Sequence, residues 1–270
     1  MKRYRMGVIG AGNMGMAIAA GAVRAGLCPA DGVLLFNRTP EKRAARAAQG
    51  FAVTDDYTGL YAACDTVLLA VKPQNFDEVL GALRAVRTQP KPVVISIAAG
   101  VPFARIEAAL GADCPIIRVM PNTPLVLGKG ASALVRNGAA TEEQLAAVRN
   151  LFDQMGVTAV FEQEDMLNEI IPYNGSAPAY VYAFADAMVQ SATAHGVPAD
   201  DALRLFCQTC IGACALLLQS GKSAETLTRE VCSPGGTTIE AVNVLKSRDF
   251  AGILAEASDK CIARAYELGR

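Results

Sequence analysis

The sequence predicts an α/β chain in two parts, a parallel doubly wound sheet with its helices over residues 1–164 and an all-helical remainder over 165–270. Three observations predict it. Short β-rich apolar runs alternate with amphipathic stretches up to about Val160, a G-x-G-x-x-G pattern joins the first run to the first helix, and strand signals stop after about Asp165. Strands buried on both faces read as continuous apolar runs, and their alternation with helices is what a parallel sheet covered on both sides requires.

The strand runs are "MGVIG" (6–10), "GVLLFN" (32–37), "TVLLAV" (66–71), "PVVISIA" (92–98) and "PIIRVM" (115–120). Helical stretches fall between them at 14–25, 40–49, 76–86 and 103–110, and a further helix over 141–155 has Thr141 as its N-cap ahead of "EEQ". Beyond these, 177–194, 199–219, 238–246 and 250–268 read as helices that open near Pro, Ser, Thr or Asp, several closing near Gly. The join over 165–174 reads as continuous helix, and no repeat or low-complexity linker interrupts it, so the two parts are expected to be held rigidly.

Hydrophobic residues make up 52 % of the 270-residue chain and charged residues 19 %, with a mean hydropathy of +0.27. That is enough apolar surface for a core with some left for subunit contacts, so a homo-oligomer is expected. The net charge of -1 leaves no excess of Lys and Arg for a phosphate backbone or an anionic membrane, which argues against nucleic acid as a partner. The basic start followed by apolar residues resembles a signal peptide, but its spaced glycines and Asn13 fit a strand, turn and helix better. The longest uninterrupted apolar run, 14–23, is well short of the ~18 residues a membrane span needs. The expectation is a cytoplasmic protein with no membrane partner. Of the eight cysteines, Cys207, Cys210 and Cys214 in "CQTCIGAC" lie at helix-face spacing without a second Cys/His cluster. They are read as buried free thiols, and no metal site is expected.

"GVIGAGNMG" places Gly10, Gly12 and Gly15 directly after a strand and at the opening of a helix, with Ala11, Asn13 and Met14 between them. Gly10 permits the tight turn, Gly12 lets a pyrophosphate approach the backbone, and Gly15 lets helix pack on strand while helix N–H groups face the anion. The pattern in this context predicts a dinucleotide site. An NAD site favours a carboxylate at the end of the second strand; this chain has Asn37, Arg38 and Thr39. A guanidinium and a hydroxyl suit a 2′-phosphate, which favours NADP(H), although the same residues tolerate the free 2′-hydroxyl of NAD(H). Arg38 also fits a solvated charge at a helix start.

Ligands of such sheets sit beyond the carboxyl ends of the strands. There lie "AVKP" (Ala70, Val71, Lys72, Pro73), "SIAAG" (with Ala98, Ala99 and Gly100) and "MPNTP" (with Asn122). Their prolines and glycine fix backbone where a nicotinamide ring would be guided, and Lys72 and Asn122 are candidates for ribose or phosphate oxygens. Each loop taken singly fits ordinary turn chemistry as well.

Oxidising an alcohol calls for a base such as Lys or His beside the ring, yet no Lys or Arg occurs between Arg149 and Arg204, and the only histidine, His195, precedes Gly196 at a helix end. Reduction of an imine asks for less, because a C=N nitrogen is basic enough to arrive protonated. "SPGGTT" (233–238) can hold such a substrate: the N–H groups of Gly235, Gly236 and Thr237 at a helix start suit a carboxylate. From these residues alone a plain capping turn fits equally well.

"SPGGTT" preceded by "REVC", together with "GAGNMG", "AVKPQ", "SIAAGV", "MPNTP" and "NGSAPAYVYAF", resembles the pyrroline-5-carboxylate reductase family nearly end to end. The resemblance implies a Rossmann-type doubly wound N-terminal domain and an all-helical C-terminal domain that intertwines into a dimer, often a decamer of five dimers. It implies NAD(P)H-dependent reduction of 1-pyrroline-5-carboxylate, a cyclic imine carboxylate, to L-proline. It also implies that Ser233, Gly235, Gly236 and Thr237 bind the substrate carboxylate, that Thr238 hydrogen-bonds the ring nitrogen as the catalytic residue, and that Asn37–Thr39, Val71–Pro73 and Ala98–Gly100 line the cofactor. Two positions depart from the family pattern: "SGSGPAY" reads "NGSAPAY", with Asn174 and Ala177, and an acidic residue common before "SPGG" is replaced at Arg229. The alternatives are a 3-hydroxyacid or phosphogluconate-type dehydrogenase and a non-catalytic NADP-sensing protein.

Overall fold

The structure, a computed structural model, describes residues 2–269. Backbone packing divides the chain into two compact units: one runs to Ser176 and takes in the tail from Cys261, the other is Ala177–Lys260. The first unit is the alternating one, with β1 (Tyr4–Ile9), α1 (Asn13–Arg24), β2 (Val33–Phe36), α2 (Pro40–Ala47), β3 (Ala52–Thr54), α3 (Tyr57–Ala63) and β4 (Cys64–Leu69) forming its first half. α4 (Phe76–Leu83), β5 (Val93–Ser96), α5 (Phe103–Leu110), β6 (Ile116–Met120), β7 (Gly130–Arg136), α6 (Glu142–Asp153), β8 (Gly156–Val160) and the short α7 (Met166–Glu169) complete it.

Eight strands form one sheet in the order β3-β2-β1-β4-β5-β6-β7-β8. The first six are parallel, β7 turns back antiparallel to β6, and β8 runs parallel to β7. Chain order reverses at β1, which pairs with β2 on one side and β4 on the other, and this opens the ligand crevice at the strands' carboxyl ends.

Alternate residues of each strand feed two cores. Val8, Leu35, Leu68, Ile95 and Ile117 pack on α1 and α6 through Ile18, Val148 and Phe152. Ile9, Leu34, Leu69, Val94 and Ile116 pack on α3, α4 and α5 through Leu60, Phe76 and Ile106. This period-2 division explains why the strand segments carry no polar face. Thr141 caps α6 in a reciprocal box, accepting from the Gln144 N–H at 3.3 Å while Gln144 Oε1 accepts from the Thr141 N–H at 2.9 Å.

Four elements of this unit are absent from the strand and helix runs read from the sequence: β3, α3, β7 and β8. β3 has only three half-buried residues, and β7, "GASALVR", begins with small residues that read as loop. The join is not continuous helix. α7 is followed by a 3-10 turn at Ile171–Tyr173 that contains Pro172, which has no N–H to carry the α ladder onward.

The second unit contains α8 (Ala177–Ala194), α9 (Ala199–Gln219), α10 (Ala224–Val231), α11 (Thr237–Ser247) and the first part of α12 (Phe250–Leu268), whose end belongs to the first unit. α8 and α9 meet through Phe184 and Phe206, edge to face at 5.1 Å. No described residue of α8 to α11 is buried, and Leu218, Val231, Ile211 and Leu205 are 87 %, 68 %, 64 % and 62 % exposed. Cys207 and Cys214, expected as buried thiols, are likewise exposed on α9 in the single chain. α9 is long and apolar enough, by length and composition, to cross a membrane, with a mean hydropathy of 1.5. The test by uninterrupted runs passed over it because Gln208 and Thr209 break the run without lowering the average much.

One core contact sets a pH limit. Burial pushes the Cys64 thiol up from 9.0 to about 12, with Asp65 adding to the rise, and burial also raises Tyr61 and Cys114 in the same core. The unfolded chain loses these protons first, so stability is full below about pH 9 and falls as pH climbs toward 12. Urea unfolding at pH 9, 10 and 11 should show this decline, and Cys64→Ala should flatten its slope by about 1.4 kcal/mol per pH unit, whatever its effect at neutral pH.

Candidate active site

The cofactor-type edge of the first unit is built from three glycines with different duties. Gly10 ends β1 at φ +98°, and a side chain there would lie 2.8 Å from the backbone of Ala70 and Val71. The turn is pinned to the neighbouring strand, with the Gly10 and Ala11 N–H groups donating to the Phe36 carbonyl at 3.2 and 2.9 Å. Gly15 sits in the first turn of α1, where a Cβ would be 2.6 Å from the Gly10 carbonyl and 3.1 Å from Ala70 Cβ. Gly12 differs from both: its φ of -80° suits any residue, and nothing lies within 4 Å of where a Cβ would stand. Its missing side chain leaves open space at the N-terminus of α1. That terminus begins with Asn13 and Met14, has no side-chain cap, and carries no acidic residue in its first turn. Open space, unsatisfied N–H donors and the positive end of a helix dipole fit a dinucleotide pyrophosphate.

The loop after β2 is tied to this turn. Asn37 Nδ2 donates to the Ala11 carbonyl at 3.0 Å, and its Oδ1 accepts from the Thr39 N–H at 3.0 Å. Arg38 reaches across the surface to Glu78 of α4, Nη2 to Oε2 at 3.2 Å. Arg43, not singled out from the sequence, donates from Nη1 to the carbonyls of Asn37 and Arg38 at 2.7 and 3.2 Å. Its signal was present, since Arg43 lies one helical turn beyond Thr39 and its N–H bonds the Thr39 carbonyl. Two guanidiniums and a hydroxyl at this loop fit a ribose 2′-phosphate.

The remaining sheet-edge loops follow the neighbouring strands. Ala70 continues β4 with its N–H on the Ile9 carbonyl at 2.9 Å, and Lys72 is exposed at the start of the 3-10 turn Pro73–Asn75. Ala98 and Gly100 are buried and Ala99 half-buried in the loop after β5. Asn122, expected to meet ribose or phosphate oxygens, has both ends of its amide engaged within the protein: Oδ1 accepts from the Ala131 N–H at 2.9 Å and Nδ2 donates to the Asn174 carbonyl at 3.4 Å. The departure at Asn174 acquires a reason here. Its Nδ2 donates to the carbonyls of Met120 and Ala131 at 3.1 and 3.2 Å, which stitches the loop after β6 to β7.

In the second unit, Ser233, Gly235 and Gly236 lie on the turn between α10 and α11, and Thr237 and Thr238 are the first residues of α11. Gly235 has φ +70°, and the Gly236 N–H donates to the Ser233 carbonyl at 3.0 Å, which closes the turn. Gly236 is the N-cap of α11 and brings no capping side chain, so the first N–H groups of an eleven-residue helix have no side-chain cap, with Ser233 Oγ 2.5 Å from where a Cβ on Gly236 would lie. Thr238, its second residue, lines an apolar groove of about 430 Å³ with Leu216 and Leu217 of α9 and Leu227 and Val231 of α10. Arg229 donates to Thr226 Oγ1 at 3.3 Å within α10, and His195 Nδ1 lies 2.8 Å from the Ser191 carbonyl at the end of α8.

Comparison with known proteins bears on both units. A family model described as pyrroline-5-carboxylate reductase dimerisation matches residues 164–268, and one described as NADP oxidoreductase, coenzyme F420-dependent, matches residues 5–100. The pyrroline-5-carboxylate reductase of Escherichia coli (strain K12) is 35 % identical across 98 % of both chains, and that of Pisum sativum 36 % identical across 98 % of this chain and 96 % of its own. The solved pyrroline-5-carboxylate reductase of Coxiella burnetii matches all of both chains with a TM-score of 0.90 at 31 % identity. That of Plasmodium falciparum, solved with NADP bound, shares the fold with a TM-score of 0.90 at 23 % identity. Similarity of this extent, running through both units and both glycine-rich turns, makes the chain a member of the pyrroline-5-carboxylate reductase family.

Proposed function

We propose that the protein reduces 1-pyrroline-5-carboxylate to L-proline with NADPH, or less readily NADH, and works as a homo-oligomer. The observation that carries the reading is the coexistence, on one chain homologous end to end with reductases of this name, of two glycine-opened helix N-termini without side-chain caps, at α1 and α11. One suits a pyrophosphate and the other a carboxylate.

A bound NADPH supplies the hydride. The N–H groups of Asn13, Met14 and Gly15 at the start of α1 would hold the pyrophosphate, with Gly10, Ala11 and Gly12 forming the turn that presents them and leaves room beside them, and Asn37, Arg38 and Thr39, with Arg43 behind them, would hold the 2′-phosphate. Ala70–Pro73, Ala98–Gly100 and Asn122 shape the nicotinamide side, with Asn122 acting through the backbone it ties down.

In the second unit, Ser233, Gly235, Gly236 and Thr237 hold the substrate carboxylate. The Thr238 hydroxyl hydrogen-bonds the ring nitrogen and turns the C=N bond for attack. An unactivated hydroxyl is a weak acid near neutral pH, so the proton arrives on the iminium or from water and Thr238 orients rather than donates. The imine carbon gains the hydride, the nitrogen keeps the proton, and L-proline leaves. The dehydrogenase alternative lacks support at α8, which carries no Lys or Arg.

The exposed apolar faces of α8 to α11 support a dimer, consistent with the matched dimerisation model. Association of five dimers into a decamer and a cytoplasmic location belong to the same proposal.

Purified protein should oxidise NADPH when given the pyrroline substrate; folded protein that leaves NADPH unchanged over a range of imine concentrations would refute the reading. Gly12→Val should retain its thermal midpoint, because no protein atom opposes the new side chain, yet lose NADPH binding by titration. Thr238→Ala should bind NADPH normally while its kcat drops about tenfold to a hundredfold, the range expected for losing one oriented hydrogen bond in the transition state. Equal damage to cofactor binding by both substitutions would contradict this division of roles.

A further inference from the structure

Between Ser96 and Phe103 the chain forms neither strand nor helix, so its shape depends on what grips it. Ala98 and Val101 are anchored in the core. At the exit, the Phe103 N–H donates to Glu164 Oε1 at 2.5 Å, and the same oxygen receives Nη1 of the buried Arg118 at 2.6 Å. At the apex the grip comes from the far end of the sequence. Gly100, at φ +75°, lies against the last turn of α12 so closely that a side chain there would stand 2.8 Å from Leu268 Cβ and 3.2 Å from the Ala265 carbonyl. A side chain on Gly269 would lie 2.7 Å from the Gly100 carbonyl.

That last turn is fastened on its other side. Ala265 is the one described residue of α12 that is buried, and it belongs to the core shared with Ala98, Val101 and Leu167. Tyr266 Oη donates to Glu169 Oε1 of α7 at 2.7 Å. A continuous set of contacts therefore runs from Glu169 through Tyr266 and Leu268 to Gly100.

We propose that the last turn of α12 is a clamp on the 98–100 loop, that Tyr266 is its positioning residue, and that it sets the affinity for the nicotinamide cofactor without acting in the chemical step. The proposal rests on the reading above that this loop lines the cofactor. A loop held in one shape loses less conformational entropy when the cofactor binds, so release of the clamp weakens binding and leaves the bound complex competent. The bond to Glu169, with smaller contributions from burial and Asp165, pushes the Tyr266 phenol up to about 12, so the donor keeps its proton through the neutral range.

The test uses the full chain with Tyr266→Phe, which removes only the hydroxyl, and Glu169→Gln, which keeps an acceptor. NADPH affinity is titrated directly by dihydronicotinamide fluorescence, beside steady-state kinetics and amide exchange. Tyr266→Phe should raise the Kd and KM for NADPH about three- to tenfold, the size expected for the net contribution of one hydrogen bond. It should leave kcat and the KM for the imine within about twofold, and the KM defect should be constant over roughly pH 6 to 9. Exchange should quicken at 97–101 ahead of the rest of the sheet, and Glu169→Gln should stay near wild type. A lowered thermal midpoint with unchanged NADPH affinity would make Tyr266 merely structural and overturn the proposal, as would a fall in kcat alone. Wild-type protein that binds no NADPH would instead remove the cofactor reading, and this proposal with it.

Discussion

The cofactor edge depends on the backbone of Gly10 lying against that of Ala70. Where β1 and β4 end side by side, no Cβ fits between them, and this close approach allows the Gly10 and Ala11 N–H groups to share the Phe36 carbonyl. The turn so fixed sets where α1 begins, and Gly15 lets that helix pack down on the same two strands. The loop after β2 is then joined to it through Asn37 and Ala11. The places proposed for the pyrophosphate and the ribose are thus consequences of one steric condition, met at the point where strand order reverses.

The helical unit obeys a different constraint. Helices with apolar residues all round are stable only when covered, and α8 to α11 cover little of one another. An apolar surplus that composition placed in the chain as a whole proves to be concentrated here, on Leu205, Ile211, Leu218 and Val231. The same concentration accounts for the cysteines of α9, which behave as small apolar side chains on faces that a single chain leaves open. It also accounts for the hydropathy of α9, since a helix to be buried by partner helices needs much the same composition as one to be buried by lipid.

How legible each part was in the sequence follows from how local its cause is. Gly10, Gly12 and Gly15 were readable because a tight turn, an open approach and a close packing each call for glycine at a fixed spacing. The five long parallel strand runs were readable because burial on both faces leaves no polar positions. β7 and β8 were not, because "GASALVR" and "GVTAV" hold small or half-exposed residues whose strand character comes from pairing with β6 and with each other. The break at Pro172 was visible as a residue but outweighed by the apolar residues around it. At the site, Arg43, the tying down of Asn122 by Ala131 and Asn174, and the approach of Leu268 to Gly100 join residues distant in sequence or roles set by rotamer. No periodicity carries such information. The turn "SPGGTT" was balanced between a capping turn and a ligand cradle on its residues alone, and family resemblance supplied the preference.

The helix starts carry the final step of the argument, because the same backbone donors can be satisfied in several ways. In the first unit α3 is capped by Asp56 and α6 by Thr141, and α2, α4 and α7 have acidic residues in their first turns. α5 has neither, yet its first N–H is taken by the Glu164 carboxylate. α1 alone among the described helices of that unit has no cap, no acid in its first turn and a glycine at the N-cap with open space beside it. Unsatisfied donors at a helix start cost stability, of which a Ser or Asp in place of Gly12 would recover about a few tenths of a kcal/mol. Where the other helix starts of this unit meet a cap, a first-turn acid or the Glu164 carboxylate, the open donors of α1 suit an anion from outside. α11 also starts from an uncapped glycine, Gly236, but there Ser233 Oγ stands 2.5 Å from where a Cβ would lie and Glu240 follows in the first turn, which fits the singly charged carboxylate proposed there better than a pyrophosphate.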